Sequence, residues 1–362
     1  MKATAKLQAL GQSLWLDNIT REMLESGQLQ RYIDEFLITG LTSNPSIFDK
    51  AIKSGAYDEE IRHKAATAAD RQTLFFELAI EDLRRAADLF APIHQRTAGV
   101  DGWVSLEVSP LLAYDTARSV RAAGDLHARA GRENVFIKIP GTEQGLPAIE
   151  EATFAGVPVN ITLLFSREQY LAAADAYMRG IERRIEADLD PNVSSVASVF
   201  ISRWDAAVIG RVPEQLRGRL GLAVGLKTYQ AYRRLMDSDR WQRLANAGTR
   251  VQRLLWASTS TKDANCPDTM YIDGLRAPHT INTMPESTLR AFDDHGRVGD
   301  PIAADGGDAE ATLARFESAG IDVDALAATL QSDGARNFVK SWEDLLKRID
   351  DQVAVVAARA LA

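Results

Sequence analysis

The sequence predicts an α/β protein, a single (β/α)8 TIM barrel with additional C-terminal helices. Three observations lead there. Eight short runs of strand-forming residues are separated mostly by stretches of helical period, the pattern of repeated βαβ units on a parallel sheet. Eight such units in one chain favour a closed barrel over an open sheet. The run Asn134-Val-Phe-Ile-Lys-Ile-Pro-Gly-Thr142 is so apolar around its one cation that it reads as a strand buried on both faces, as parallel strands are.

The elements follow in order. Leu14-Trp-Leu-Asp-Asn18 is a first strand that ends in polar residues. A helical stretch leads to Thr39-Gly-Leu-Thr-Ser-Asn-Pro-Ser46, a strand cut off at Asn44-Pro45. Residues 57–90 have helical period, with Phe75, Ala79, Leu83 and Ala87 on one face. Gly102-Trp-Val-Ser-Leu-Glu-Val-Ser-Pro110 alternates, setting Val104, Leu106 and Val108 against Ser105, Glu107 and Ser109. A helix over about 112–130 precedes the lysine strand and another near 144–154 follows it. Pro158-Val-Asn-Ile-Thr-Leu-Leu-Phe165 is the fifth strand. Ser166 with Gln169 forms a capping box for a helix whose stripe is Tyr170, Ala174, Tyr177, Ile181 and Ile185. Ser195 to Ser202 is the sixth strand, leading to Arg203. After a long helical region come Arg253-Leu-Leu-Trp-Ala-Ser-Thr259 and Thr280-Ile-Asn-Thr-Met-Pro285. Beyond Gly299, Ala, Asp and Gly dominate, and a final helix carries Phe338, Trp342, Leu345, Ile349 and Val353 at helical spacing. The expectation is one domain over residues 1–362, with a barrel core at about 13–295 and a helical addition at about 300–362. The stripe leaves open whether that addition covers the barrel mouth or meets another subunit.

Composition narrows the function. With 362 residues, 46% of them hydrophobic and 25% charged, the chain has material for a large core. A net charge of -8 argues against a nucleic-acid groove or a general attraction to anionic membranes, while allowing a local cationic pocket. Cys266 is the one cysteine, so no disulfide forms within the chain, and a cytoplasmic address is expected. No apolar stretch is long enough to span a bilayer. The histidines, at 63, 94, 127, 279 and 295, lack metal-ligand spacing, and no metal is expected.

The strands also share a rule of parity. Asp17 opposes Leu14 and Leu16, Asn44 opposes Leu41, Glu107 opposes Leu106 and Val108, and Lys138 opposes Ile137 and Ile139. Asn160 and Thr162 oppose Val159 and Ile161, and Ser198 opposes Ala197 and Val199. In a barrel the apolar parity faces the helices and the other faces the axis, with the active site at the C-terminal strand ends. Buried polar groups on six strands destabilise the fold unless they meet one another or a ligand. The residue types suggest a chemistry. Desolvation of a lysine favours the free amine, which condenses with a ketone to a Schiff base that draws electrons from the neighbouring carbon–carbon bond. Asp17 and Glu107 could move the protons, while Asn44, Asn160, Thr162 and Ser198 could hold hydroxyls. Each has a structural alternative: Asp17 as a helix cap, Glu107 as a simple ion-pair partner of Lys138, Asn44 as turn chemistry, and the others as satisfied core groups.

Taken together these motifs resemble transaldolase. The resemblance rests on Leu16-Asp17, Leu41-Thr-Ser-Asn-Pro-Ser46, Ser105-Leu-Glu-Val108, Ile137-Lys-Ile-Pro-Gly-Thr142, Asn160-Ile-Thr-Leu-Leu-Phe165 and Ser198-Val-Phe-Ile-Ser-Arg203. It implies a class I aldolase-type barrel in which Lys138 forms the Schiff base and Asp17 is the acid/base. Glu107 with Thr162 would position a catalytic water; Asn44, Asn160 and Ser198 would hold the dihydroxyacetone unit; Arg203 would bind phosphate. The implied reaction moves dihydroxyacetone from sedoheptulose 7-phosphate to glyceraldehyde 3-phosphate, in the non-oxidative pentose phosphate pathway. No cofactor is implied, because the lysine is itself the electron sink, and the expected partners are sugar phosphates for a monomer or homodimer. One departure stands out. Relatives often read Ala-Ser-Phe-Arg after the seventh strand, whereas this chain reads Ala257-Ser-Thr-Ser-Thr-Lys262, so Ser258 fits and Lys262 is the candidate for the second cation. The competing readings are a Schiff-base aldolase that releases free dihydroxyacetone and a non-catalytic sugar-phosphate-binding barrel.

Overall fold

Branched and aromatic residues concentrate in the short runs that become strands. In the structure, a computed structural model that describes residues 2–65 and 68–361, with side chains as far as Ala358, they are β1 (Ser13–Asp17), β2 (Gly40–Thr42), β3 (Trp103–Glu107) and β4 (Val135–Pro140), then β5 (Val159–Leu164), β6 (Ser195–Phe200), β7 (Arg253–Ala257) and β8 (Ile281–Met284). They pair in sequence order, all parallel, and β8 closes on β1. The (β/α)8 barrel is therefore as the sequence predicts. Val104, Leu106, Val135, Ile137, Ile139, Val159 and Ile161 pack outward into the main core beneath the helices. Among the described residues no helix is long and apolar enough to cross a membrane.

The inward parity has two storeys. In the N-terminal half of the barrel Trp15, Trp103, Phe136, Val196, Leu255 and Ile281 fill the axis, with the Trp103 and Phe136 rings stacked 4.0 Å apart. Below them Asp101 accepts from Trp15 Nε1 at 2.9 Å and faces Arg253 Nη1 at 3.5 Å, and Arg253 Nη2 donates to Ser13 Oγ at 2.6 Å. Gly40 makes room for this layer: a Cβ there would sit 2.7 Å from the Trp15 ring and 2.6 Å from the Trp103 carbonyl oxygen. The upper storey is polar. Strand register sets Glu107, Lys138 and Asn160 side by side on β3, β4 and β5, and Asp17 beside Thr42 on β1 and β2.

Three elements differ from the sequence expectation. β2 stops at Thr42, because Asn44 leaves the strand to cap the helix Pro45–Lys53, accepting from Ile47 N at 3.3 Å, with Pro45 in its first turn. The stretch 57–90 is two helices, Asp58–Lys64 and Arg71–Arg96, the second capped by Asp70; residues 66 and 67 lie outside the described residues. The helix expected from 112 starts at Thr116, where Asp115 accepts from Arg118 N. The capping box at Ser166 forms as read.

The tail folds into helices Ala309–Ser318 and Val323–Leu361. The long helix crosses the C-terminal mouth of the barrel. Gln331 Nε2 donates to the carbonyls of Gly141 and Leu163, each at 3.0 Å, beside the ends of β4 and β5. Further along, the Trp342 ring meets Phe75 edge-on at 5.0 Å, and Arg348 Nε contacts Asp49 Oδ1 at 3.0 Å. Along this stretch Leu330, Asp333, Gly334, Asn337, Phe338 and Ser341 line the cavity at the barrel mouth. Covering the mouth is thus a role the tail has.

Candidate active site

The upper storey opens into a cavity of about 980 Å³ between the strand ends and the long helix. Asp17, Asn44, Lys138, Thr162, Ser198, Arg203, Ser258 and Lys262 line it. Glu107 and Asn160 lie just beneath, buried among the others. All ten residues singled out from the sequence therefore converge on one place.

Lys138 stands at its floor, 5% exposed. Its Nζ donates to Glu107 Oε2 at 3.0 Å and to the Ser43 carbonyl at 3.1 Å. The ion-pair alternative for Glu107 is therefore part of the geometry. Burial nevertheless pushes the Glu107 carboxyl above its ordinary range, outweighing the Lys138 ammonium, and the nearby Asp17 charge pushes the same way. Asp17 is likewise raised by burial, against the pull of Lys138, a hydrogen bond from Thr42 Oγ1 at 2.8 Å, and the charge of Lys262. It caps no helix; Thr20 caps the one that follows. Glu107 Oε1 and Thr162 Oγ1 are buried and have no protein partner among the described residues. Such atoms are poised for a ligand or a water.

A second hydrogen-bond chain runs beside the lysine. Ser198 Oγ donates to Asn160 Oδ1 at 2.7 Å, and Asn160 Nδ2 donates to Ser105 Oγ at 3.1 Å. At the rim, Asn44 spends its side-chain oxygen on Ser46 Oγ and Ile47 N, which leaves its amide hydrogens for the cavity. Turn chemistry and cavity lining coexist there. Arg203 follows β6 on the helix Ser202–Val208 and has no ion-pair partner among the described residues. Burial and the Arg203 guanidinium both push the Lys262 ammonium below its ordinary range, with Asp17 opposing. Two cations without an ion-pair partner among the described residues, at one end of a protein of net charge -8, suit an anion. Ser258 lines the same cavity with a left-handed φ of 54°, its Oγ 3.0 Å from Ser202 Oγ.

Sequence reasoning missed three participants. Thr42 bridges Asp17 and Thr283 Oγ1, the latter at 2.8 Å; it shares parity with Asn44, and that signal was available. Thr283 was masked because β8 carries polar residues on both parities, Asn282 included. Phe338 belongs to an apolar stripe in the sequence, and nothing in that stripe marks it as a residue of the cavity wall. No group of three His, Cys, Asp or Glu side chains among the described residues is arranged to hold a metal ion.

Known proteins resemble this chain over nearly its whole length. A sequence model of the family described as transaldolase/fructose-6-phosphate aldolase matches residues 14–349. A protein of Parafrankia sp. named transaldolase is 43% identical over 367 aligned positions, covering 99% of this chain and 100% of its own. Proteins with the same name from Thermobifida fusca and Mycobacterium bovis are 44% and 42% identical, over 96% and 95% of this chain and 98% and 95% of their own. The chain belongs to the transaldolase/fructose-6-phosphate aldolase family.

Proposed function

We infer that the chain, a transaldolase, takes up a dihydroxyacetone unit on Lys138 and passes it to an aldehyde acceptor. The observation that carries the residue roles is the buried contact of Lys138 Nζ with Glu107 Oε2 at 3.0 Å, on the cavity floor. Proton transfer across that contact removes two opposite charges from a dry place and leaves a nucleophilic amine. The amine adds to the ketone carbon of sedoheptulose 7-phosphate, and loss of water gives an iminium. Asp17 takes the proton from the hydroxyl on the far carbon of the bond to be broken. That bond breaks, its electron pair moves into the iminium to form an enamine, and erythrose 4-phosphate leaves. The enamine carbon then attacks the aldehyde of glyceraldehyde 3-phosphate, and Asp17 returns the proton to the new alkoxide. Hydrolysis of the iminium releases fructose 6-phosphate and restores Lys138.

Placement supports the other roles. Glu107 Oε1 and Thr162 Oγ1, without protein partners among the described residues, hold the water that enters and leaves with the imine. Asn44 and Ser198, the latter oriented by Asn160, hold hydroxyls of the three-carbon unit. Arg203, with Lys262 and Ser258, takes the phosphate; Arg203 offers a planar fork, Lys262 a point charge. The family also includes aldolases that release free dihydroxyacetone, but the relatives aligned over nearly the whole chain carry the name transaldolase, which favours transfer.

The test is borohydride reduction in the presence of fructose 6-phosphate, followed by peptide mapping. A reduced three-carbon adduct on the peptide that contains Lys138 is expected. Lys138→Arg, whose guanidinium stays protonated, should give no adduct and no turnover. An adduct on another lysine, or normal turnover by that variant, would move the chemistry elsewhere.

A further inference from the structure

We propose that Phe338, carried by the C-terminal helix, decides whether the three-carbon unit on Lys138 goes to an aldehyde or is lost to water. The proposal rests on the Schiff-base reading above. The Phe338 ring lies over Lys138 Nζ with its centroid 6.0 Å away, and its centroid is 6.5 Å from that of Phe200. Two aromatic side chains from different parts of the chain therefore border the space above the nitrogen. The helix that brings Phe338 is held on both sides of it. Gln331 is bonded to the carbonyls of Gly141 and Leu163, and Trp342 is buried against Phe75 and Phe76. The ring is thus a fixed part of the site's roof.

The nucleophilic carbon of an enamine can take up a proton instead of attacking an aldehyde. Protonation there regenerates an iminium; water then adds to it and expels the Lys138 amine, releasing free dihydroxyacetone. The only co-reactants are a proton and one water, and nothing is oxidised or reduced. A ring over the nitrogen excludes water from that side of the reacting atoms, so the intermediate survives until an acceptor arrives. Its π face also attracts the positive nitrogen of the iminium, which keeps the ring seated. If Phe338 only anchored the tail, its loss would slow transfer and release alike.

The experiment measures two products from fructose 6-phosphate with erythrose 4-phosphate as acceptor: sedoheptulose 7-phosphate from transfer and free dihydroxyacetone from release. In Phe338→Ala the ratio of release to transfer should rise about tenfold, the effect of about 1.4 kcal/mol between the two barriers. Phe338→Gln, smaller but a good helix former, keeps the helix intact while its amide admits water, and should raise the ratio at least as far. Circular dichroism checks that each variant is folded, and Lys340→Ala, an exposed change on the same helix, should leave the ratio alone. Equal slowing of both products in either folded variant, with the ratio unchanged, overturns the proposal. Borohydride trapping on the unmodified enzyme separates the two claims. An adduct on Lys138 with an unchanged ratio sinks only the role of Phe338, whereas no adduct sinks the Schiff-base reading and this proposal with it.

Discussion

Two desolvated carboxyl groups, Glu107 buried and Asp17 half-buried, share a pocket with one lysine, which costs stability in return for reactivity. Asp17 and Glu107 are both raised above their ordinary values, chiefly by burial. For Asp17 the window opens at the ordinary value of 3.8 and extends up to the higher folded value. Within it the folded protein still holds a proton that the unfolded chain has released, so stability falls as pH rises, and the loss persists above the window. Asp17→Asn, which keeps an acceptor for Thr42 without the charge, should therefore gain about 1 kcal/mol of stability at neutral pH while losing about 10²- to 10⁴-fold in kcat. Thermal melts and steady-state assays on the same preparation check this. A variant that is less stable, or fully active, would refute the assignment. At this scale the sequence was legible wherever a strand is long enough to alternate, as at Glu107, Lys138 and Asn160. It was illegible at Thr42, on a strand of three residues, and at Thr283, whose neighbour Asn282 is also polar.

Among elements, β2 is the least robust. It is short, and its first residue, Gly40, lies against the Trp15 ring and the Trp103 carbonyl oxygen, where backbone cannot yield as a flexible side chain does. Gly40→Ala should cost about 1–3 kcal/mol through overpacking of the barrel's lower layer. Chemical denaturation measures it; an unchanged midpoint would mean the strand shifts freely. Strand existence and order were readable because period and turn residues are local signals. The destination of the last helix was not. Phe338, Trp342, Leu345 and Ile349 announce a face to be buried, but a stripe does not name its partner. Trp342 finds it in Phe75 and Phe76, more than 250 residues earlier by their numbers, a pairing no local pattern encodes.

For the whole molecule, we take barrel and tail as one folding unit, because Trp342, Leu345 and Ile349 share a continuous apolar cluster with the strands and their covering helices. Heating should then unfold both together. Hydrogen exchange of the peptide bearing Trp342 and of the peptide bearing β4 should collapse at the same temperature. A tail that opens tens of degrees earlier would be a separate unit.

The packed lower storey also gives the barrel a direction of traffic. With Asp101, Arg253 and the stacked rings of Trp103 and Phe136 sealing the far end, the site is a cul-de-sac entered from the tail side. If Lys138 carries the three-carbon unit as proposed, a departing aldehyde and an arriving one use the same mouth, so the first must clear before the second can approach. The order of events in the double exchange is thus written into the plumbing of the barrel, independently of how tightly either sugar is held.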